Sequence, residues 1–293
     1  FGLHIVTPVP YGQRLDEARA DKILGWLQEH GIRFMALDIC HFLGHWNYPT
    51  VYDWTQFWLR KLHQHRMFCI VNIQEDYPQP PPLNVTVFLN RISSVIDAIT
   101  QEDWSSIVIG IGYNWELDLL GKTDGEIEAF LKELYPSVKE KVRSSVIGNV
   151  PIFGKHAATI SVYGTVPIVK YSDIPNWDLY PHLPEWKKYL DDRLPEYHQD
   201  TLRLTEKEGY RIWLNENGIY KEDMTAGNDP YYSPEVFKYL LSGGGYNDVS
   251  ALFLWHLEWD NPMEPYYNWS AFDMNGTPKT WFLDLIPYFP VVQ

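Results

Sequence analysis

Short apolar runs that read as strands alternate along the chain with longer segments whose apolar positions recur at helical spacing. Residues 1–10, FGLHIVTPVP, predict a strand stopped by prolines, and 16–32, DEARADKILGWLQEHGI, a helix with a glycine stop. RFMALDICHF (33–42), MFCIVNIQEDY (67–77) and SSIVIGIGYNWELD (105–118) are strand-like, and helical patterns at 51–66, 84–100 and 123–144 follow them. VPIFGK (150–155) predicts a fifth strand with no clear helix before Pro175. NWDLYPH (176–182), YRIWLNENG (210–218) and VSALFLWHLEW (249–259) complete the strands, each with a helical pattern after it. Eight strand-then-helix units without repeat, charge block or linker predict an α/β fold. The expected form is a single (β/α)8 TIM barrel over residues 1–293 with a degenerate fifth helix. The competitor, a doubly wound open sheet, normally carries a glycine-rich phosphate turn after its first strand, and TPVPYGQ is not one.

In such a barrel the active site lies at the carboxyl ends of the strands. The polar residues expected there include His4, Asp38 and His41, Asn72, Asn114 and Glu116, Tyr180, Glu216, and Trp255 with Glu258. Two glutamates stand out because their strands are otherwise the most apolar. By the period of two, Gly110, Gly112, Asn114 and Glu116 share one face, and the glycines are expected to leave room inside the barrel. On the seventh strand Ile212, Leu214 and Glu216 are expected to share a face in the same way. Two facing glutamates suit glycoside hydrolysis. One, with a raised pKa, protonates the leaving oxygen; the other attacks the anomeric carbon or activates water. The alternative is that strand-end carboxylates only cap loops or pair with Lys and Arg.

Composition narrows the partners. A net charge of −14, from 24 basic and 38 acidic residues, argues against nucleic acid and anionic membranes as partners. No apolar stretch reaches the roughly 18 residues of a membrane span. The 13 Trp and 20 Tyr fit either an aromatic core or platforms on which sugars stack. Sequons at Asn84, Asn268 and Asn275, and a first residue that is Phe1 rather than Met, favour a trimmed, extracellular or cell-surface protein. Cys40 and Cys69 fall on neighbouring strands, as buried free thiols or, alternatively, a disulfide. His41 with His45, and His63 with His65, raise the possibility of zinc. Barrel metal sites draw ligands from several strand ends, however, and His63 and His65 fall in a helix tail, so no metal or other cofactor is expected.

IWLNENG (212–218) resembles the nucleophile strand of the retaining glycoside hydrolases of clan A, closest to the I-T-E-N-G of β-glucosidases. WDLYPH is similar to their sixth-strand segment, ALFLWHLEWDNP to their eighth strand, and SAFDMNGTPKTWFLDLIPYF to their closing loop and helix. The resemblance implies a (β/α)8 barrel with Glu116 as acid/base after strand four and Glu216 as nucleophile after strand seven. It also implies a nucleophile hydrogen-bonded by Tyr180 and a sugar site floored by Trp255. Asn114 is then expected to steer the pair, and His41, Asn72 and Glu258 to line the cleft for an oligosaccharide or polysaccharide. Short loops favour internal cleavage, and a monomer is expected.

Two departures qualify the match. Clan members carry Asn directly before the acid/base, whereas this chain reads Asn114-Trp115-Glu116. If Glu116 is the match, Trp115 takes the Asn position; if Asn114 is, Trp115 replaces the acid. Strand parity favours the first. The frequent arginine of strand two is missing, with Ala36 near its place. The rival function is therefore a glycan-binding barrel that has lost catalysis, and a metal-dependent barrel hydrolase ranks behind it.

Overall fold

The computed structural model describes residues 2–6, 17–40, 51–74, 83–101, 104–115, 122–156, 170–179, 212–217, 249–254 and 270–289, with scattered positions between 187 and 239. Four strands alternate with four helices in its first half. They run in the order β1 (Gly2–Val6), α1 (Glu17–Glu29), β2 (Phe34–Cys40), α2 (Val51–Gln64), β3 (Phe68–Gln74), α3 (Val85–Gln101), β4 (Val108–Trp115) and α4 (Asp124–Arg143). β5 (Ile152–His156), β6 (Ile174–Leu179), β7 (Ile212–Asn217) and β8 (Val249–Leu254) follow. Every strand pairs in parallel with the next, and β8 returns to β1 through Gly2↔Phe253 and Leu3↔Leu254, closing the sheet as a barrel.

Local sequence explains the elements. Helix α1 buries Ala20, Ile23, Leu24 and Leu27, one stripe at helical spacing, and the chain leaves it through Gly31 at φ +76°. In α4 the Thr123 hydroxyl accepts from the Glu126 backbone N–H, while the Glu126 carboxylate accepts from the Thr123 N–H. Lys141 and Arg143 complement the dipole in its last turn. Pro136 is carried inside that helix.

Alternate strand residues face two different cores. Met35, Leu37, Cys69, Val71, Ile73, Ile111 and Tyr113 pack outward into one continuous core with the helix stripes. Ala36, Ile70 and Phe153 form a smaller cluster inside the barrel, against which Phe34 and Ile174 pack.

Several expectations change in detail. The closing segment is not one helix over 278–289: α5 covers only Thr280–Leu283, and a 3-10 turn follows at Ile286–Tyr288. The turn has Pro287 in it, and proline supplies no N–H to continue an α-helix. The two cysteines do lie on adjacent strands, but Cys69 is level with Met35 and Cys40 with Gln74. Five residues of strand separate them by about 16 Å, too far for a disulfide. Cys69 is a buried free thiol, pushed up to about 12 by burial. Trp26, Trp58, Trp104 and Trp281 all belong to the helix layer, where Trp26 stacks on His30 at 3.8 Å and Trp104 donates to Gln56 at 2.6 Å. These four are packing residues rather than sugar platforms.

Candidate active site

The carboxyl ends of the strands carry nearly all the residues singled out from the sequence. Asn72, Asn114 and Glu216 stand in the last turns of extended backbone of β3, β4 and β7. His41, Glu116, Tyr180 and Trp255 are each the first residue beyond β2, β4, β6 and β8. Those four and Glu258 lie outside the described residues. Around the barrel, β4 and β7 are separated on one side by β5 and β6.

Backbone register refines the parity argument at both glutamates. On β4, Gly112 is level with Asn72, but Gln74 is level with Trp115, so an extra residue enters between them. The alternation that puts Asn114 and Glu116 on the face of Gly112 is therefore interrupted, and Trp115 takes the register position beside Gln74. On β7, Leu214 is level with Trp177 and Glu216 with Asp178, again with a shift between. The face shared by Ile212 and Leu214 does not continue to Glu216. Instead Glu216 takes its place at the level of Asp178, two residues beyond Asn176. Bulges of this kind recur beside active sites because they re-aim one side chain without disturbing the strand below.

Three buried polar side chains occupy the upper interior. Asp38 and Asn72 are 1% and 0% exposed, and the Asn72 amide nitrogen donates to Asp38 Oδ1 at 2.7 Å. Asn72 shares its face with Ile70, a member of the interior cluster, which places it inside the barrel. Its Oδ1 has no hydrogen-bond partner among the described residues. Asn176, on β6, is fully buried, and neither of its amide atoms has a partner among them. Nothing in the sequence pattern marked Asn176; the signal was its place two residues after Ile174 on an inward face. Leaving such an amide buried and unpaired costs roughly 2–7 kcal/mol, depending on the reference state.

Lower in the barrel the space is filled. The glycines of β4 were expected to leave room, but a Cβ at Gly110 would collide with the Phe153 ring and stand 3.2 Å from the Pro151 carbonyl oxygen. Gly110 is there so that Phe153 can cross the interior. Ala36, where an arginine was the comparison, is wholly buried in the same apolar cluster.

The helix-tail histidines have structural partners. His65 Nε2 is 3.1 Å from Asp21 Oδ1, and the His63 ring lies 5.1 Å from that of Trp104. Among the described residues no group of three His, Cys, Asp or Glu could hold a metal ion. No described helix is long and apolar enough to cross a membrane.

No protein-family model matches the sequence, and no curated protein matches it. Solved structures do resemble it. A calcium-binding mutant of Bacteroides uniformis beta-glucuronidase 2 has a TM-score of 0.67 at 17% identity, over 95% of this chain and 33% of that one. A family 39 glycoside hydrolase from the gut symbiont Bacteroides cellulosilyticus WH2 has a TM-score of 0.62 at 12% identity, over 98% of this chain and 62% of that one. A GH5_18 from Bifidobacterium longum subsp. infantis has a TM-score of 0.70 at 11% identity, over 98% and 78%. The chain spans 33% and 37% of the two Bacteroides uniformis β-glucuronidase chains it matches. At these identities the likeness is one of fold. The chain has a (β/α)-type fold that several families of glycoside hydrolases share.

Proposed function

We propose that the chain is a retaining glycoside hydrolase that cleaves β-linked glycans, built as a single (β/α)8 catalytic barrel over residues 1–293 with a degenerate fifth helix. One observation carries the reading: in a closed parallel barrel of glycoside-hydrolase type, Glu216 is the last residue but one of β7 and Glu116 directly follows β4. Glu116 is the general acid/base and Glu216 the nucleophile. Protonation of the glycosidic oxygen by Glu116 accompanies attack of Glu216 on the anomeric carbon, and Glu116 then deprotonates the water that releases the sugar. Asn114 and Tyr180 position the pair, Trp255 stacks on the sugar, and His41, Asn72 and Glu258 line an open cleft that favours internal cleavage. The mechanism calls for no metal. The protein works as a monomer outside the cell or at its surface, a placement that rests on the sequons; Asn84 and Asn275 are both exposed.

A second reading has its own support. Ala36 sits in an apolar interior cluster where clan members frequently have arginine, and Trp115 precedes Glu116. Both fit a barrel that binds glycans without cleaving them. Assaying p-nitrophenyl β-glycosides and a panel of β-linked polysaccharides, with and without chelator, separates the readings. The hydrolase reading predicts chelator-insensitive release of product. Binding without release would support the second reading, and loss of activity with chelator would contradict both.

A further inference from the structure

We infer that Asn176, together with Asn72, forms a polar floor beneath the barrel mouth that hydrogen-bonds the hydroxyl groups of the bound saccharide. The inference deepens the hydrolase reading and rests on it for the identity of the ligand. Asn176 follows Ile174 at the strand period of two, and Ile174 packs on the interior cluster of Ala36, Ile70 and Phe153. Asn176 is therefore inside the barrel, one alternation nearer the carboxyl end. One alternation further is Asp178, level with Glu216. The amide thus stands directly below the level of the proposed nucleophile, on the neighbouring strand.

Its chemistry is unspent. Asn176 is fully buried, and neither Oδ1 nor Nδ2 has a partner among the described residues. Native interiors rarely keep such a group without an occupant to satisfy it. Asn72 repeats the pattern in a more defined form. The Asn72 amide nitrogen donates to Asp38 Oδ1 at 2.7 Å, so that end of the amide is turned toward Asp38. Oδ1 is then left as an oriented acceptor. The floor accordingly offers an acceptor at Asn72 and both donors and an acceptor at Asn176. Hydroxyl groups, which donate and accept at once, match that set, whereas a carboxylate, which only accepts, has nothing to give Asn72. The class of ligand is a polyhydroxylated ring presented hydroxyl-first.

The test compares wild type with Asn176→Ala and Asn176→Leu on p-nitrophenyl β-D-glucoside, β-D-mannoside, β-D-galactoside and β-D-glucuronide, and on monodeoxy analogues of the best substrate. Thermal melting is recorded alongside. The floor predicts that Asn176→Leu melts no lower than wild type, because an unpaired amide leaves the interior. It predicts that kcat/KM falls roughly 10- to 100-fold, as when a site built for a hydroxyl loses its partner. It also predicts that one deoxy analogue, poor for wild type, is no poorer than the parent for Asn176→Ala. Unchanged kcat/KM, or an equal loss on parent and every deoxy analogue, would overturn the floor while leaving hydrolysis intact. If wild type cleaves none of the glycosides, calorimetry with the same compounds decides separately. Binding that Asn176→Ala abolishes upholds the floor without the hydrolase. Binding that this variant retains, or no binding by wild type, overturns it.

Discussion

At the scale of residues, the account turns on which carboxylate does what. Glu216, Glu222, Glu258 and Glu264 all fall within the last third of the chain, and only Glu216 is carried by a described strand. Replacing Glu216 with Ala should remove the covalent route and lower kcat by several orders of magnitude, with partial rescue by azide or formate entering the vacated space. Glu258→Ala should raise KM with a smaller effect on kcat. Steady-state kinetics of the two variants check this, and the reverse ranking would move the nucleophile away from Glu216. The residue scale is also where the sequence was least sufficient. Asn72 was recognised as a strand-end polar group, but Asn176 was not, because an Asn in NWDLYPH gives no sign of which way it faces. Gly110 was misread for a related reason. Glycine reports that space is needed beside the backbone, not what fills it, and here Phe153 does.

At the scale of elements, most strands and helices were legible because burial on one face forces a period, and that period survives in the sequence. Helices α1 to α4 end within a few residues of the expected positions, and the Thr123 and Glu126 pair marks the start of α4 in sequence as in structure. What periodicity could not show was register. The extra residues near Trp115 and before Glu216 break the alternation where the site begins, and no local propensity announces them. The contact that ties α4 and β5 to the start of β6 makes a separate prediction. Asp173 accepts from Lys139 at 2.6 Å, from Tyr135 at 2.9 Å and from the Ile152 N–H at 3.0 Å. Burial pushes its carboxyl up, but these hydrogen bonds outweigh burial and leave it below the ordinary 3.8. A carboxylate with a depressed folded pKa stabilises above its unfolded value, and that contribution is lost as pH falls through the folded one. Asp173→Ala should therefore cost roughly 1–3 kcal/mol at pH 7. In denaturant titrations the deficit should hold down to about pH 5 and narrow below the ordinary 3.8. A deficit that stays constant through acid would contradict the ionic assignment.

At the scale of the whole molecule, the closed order of eight parallel strands converts scattered sequence positions into one rim, bringing Asn72, Asn114 and Glu216 to a common end of the barrel. The fold was readable because it is written redundantly, strand after strand. The chemistry was less so, because it rests on a few residues at strand ends where the pattern stops. The central claim is that two glutamates across that rim, with carboxyl groups about 5–5.5 Å apart, cleave by double displacement. Double displacement leaves a sugar covalently on the protein between its two steps, and a 2-deoxy-2-fluoro β-glycoside with a good leaving group slows the second step enough to trap it. Intact-mass measurement and peptide mapping after such trapping test the claim most directly. The account predicts a mass gain of one fluorosugar, carried by the peptide containing Glu216, and no gain in Glu216→Ala. Hydrolysis that proceeds with no adduct, or an adduct on another carboxylate, would contradict it.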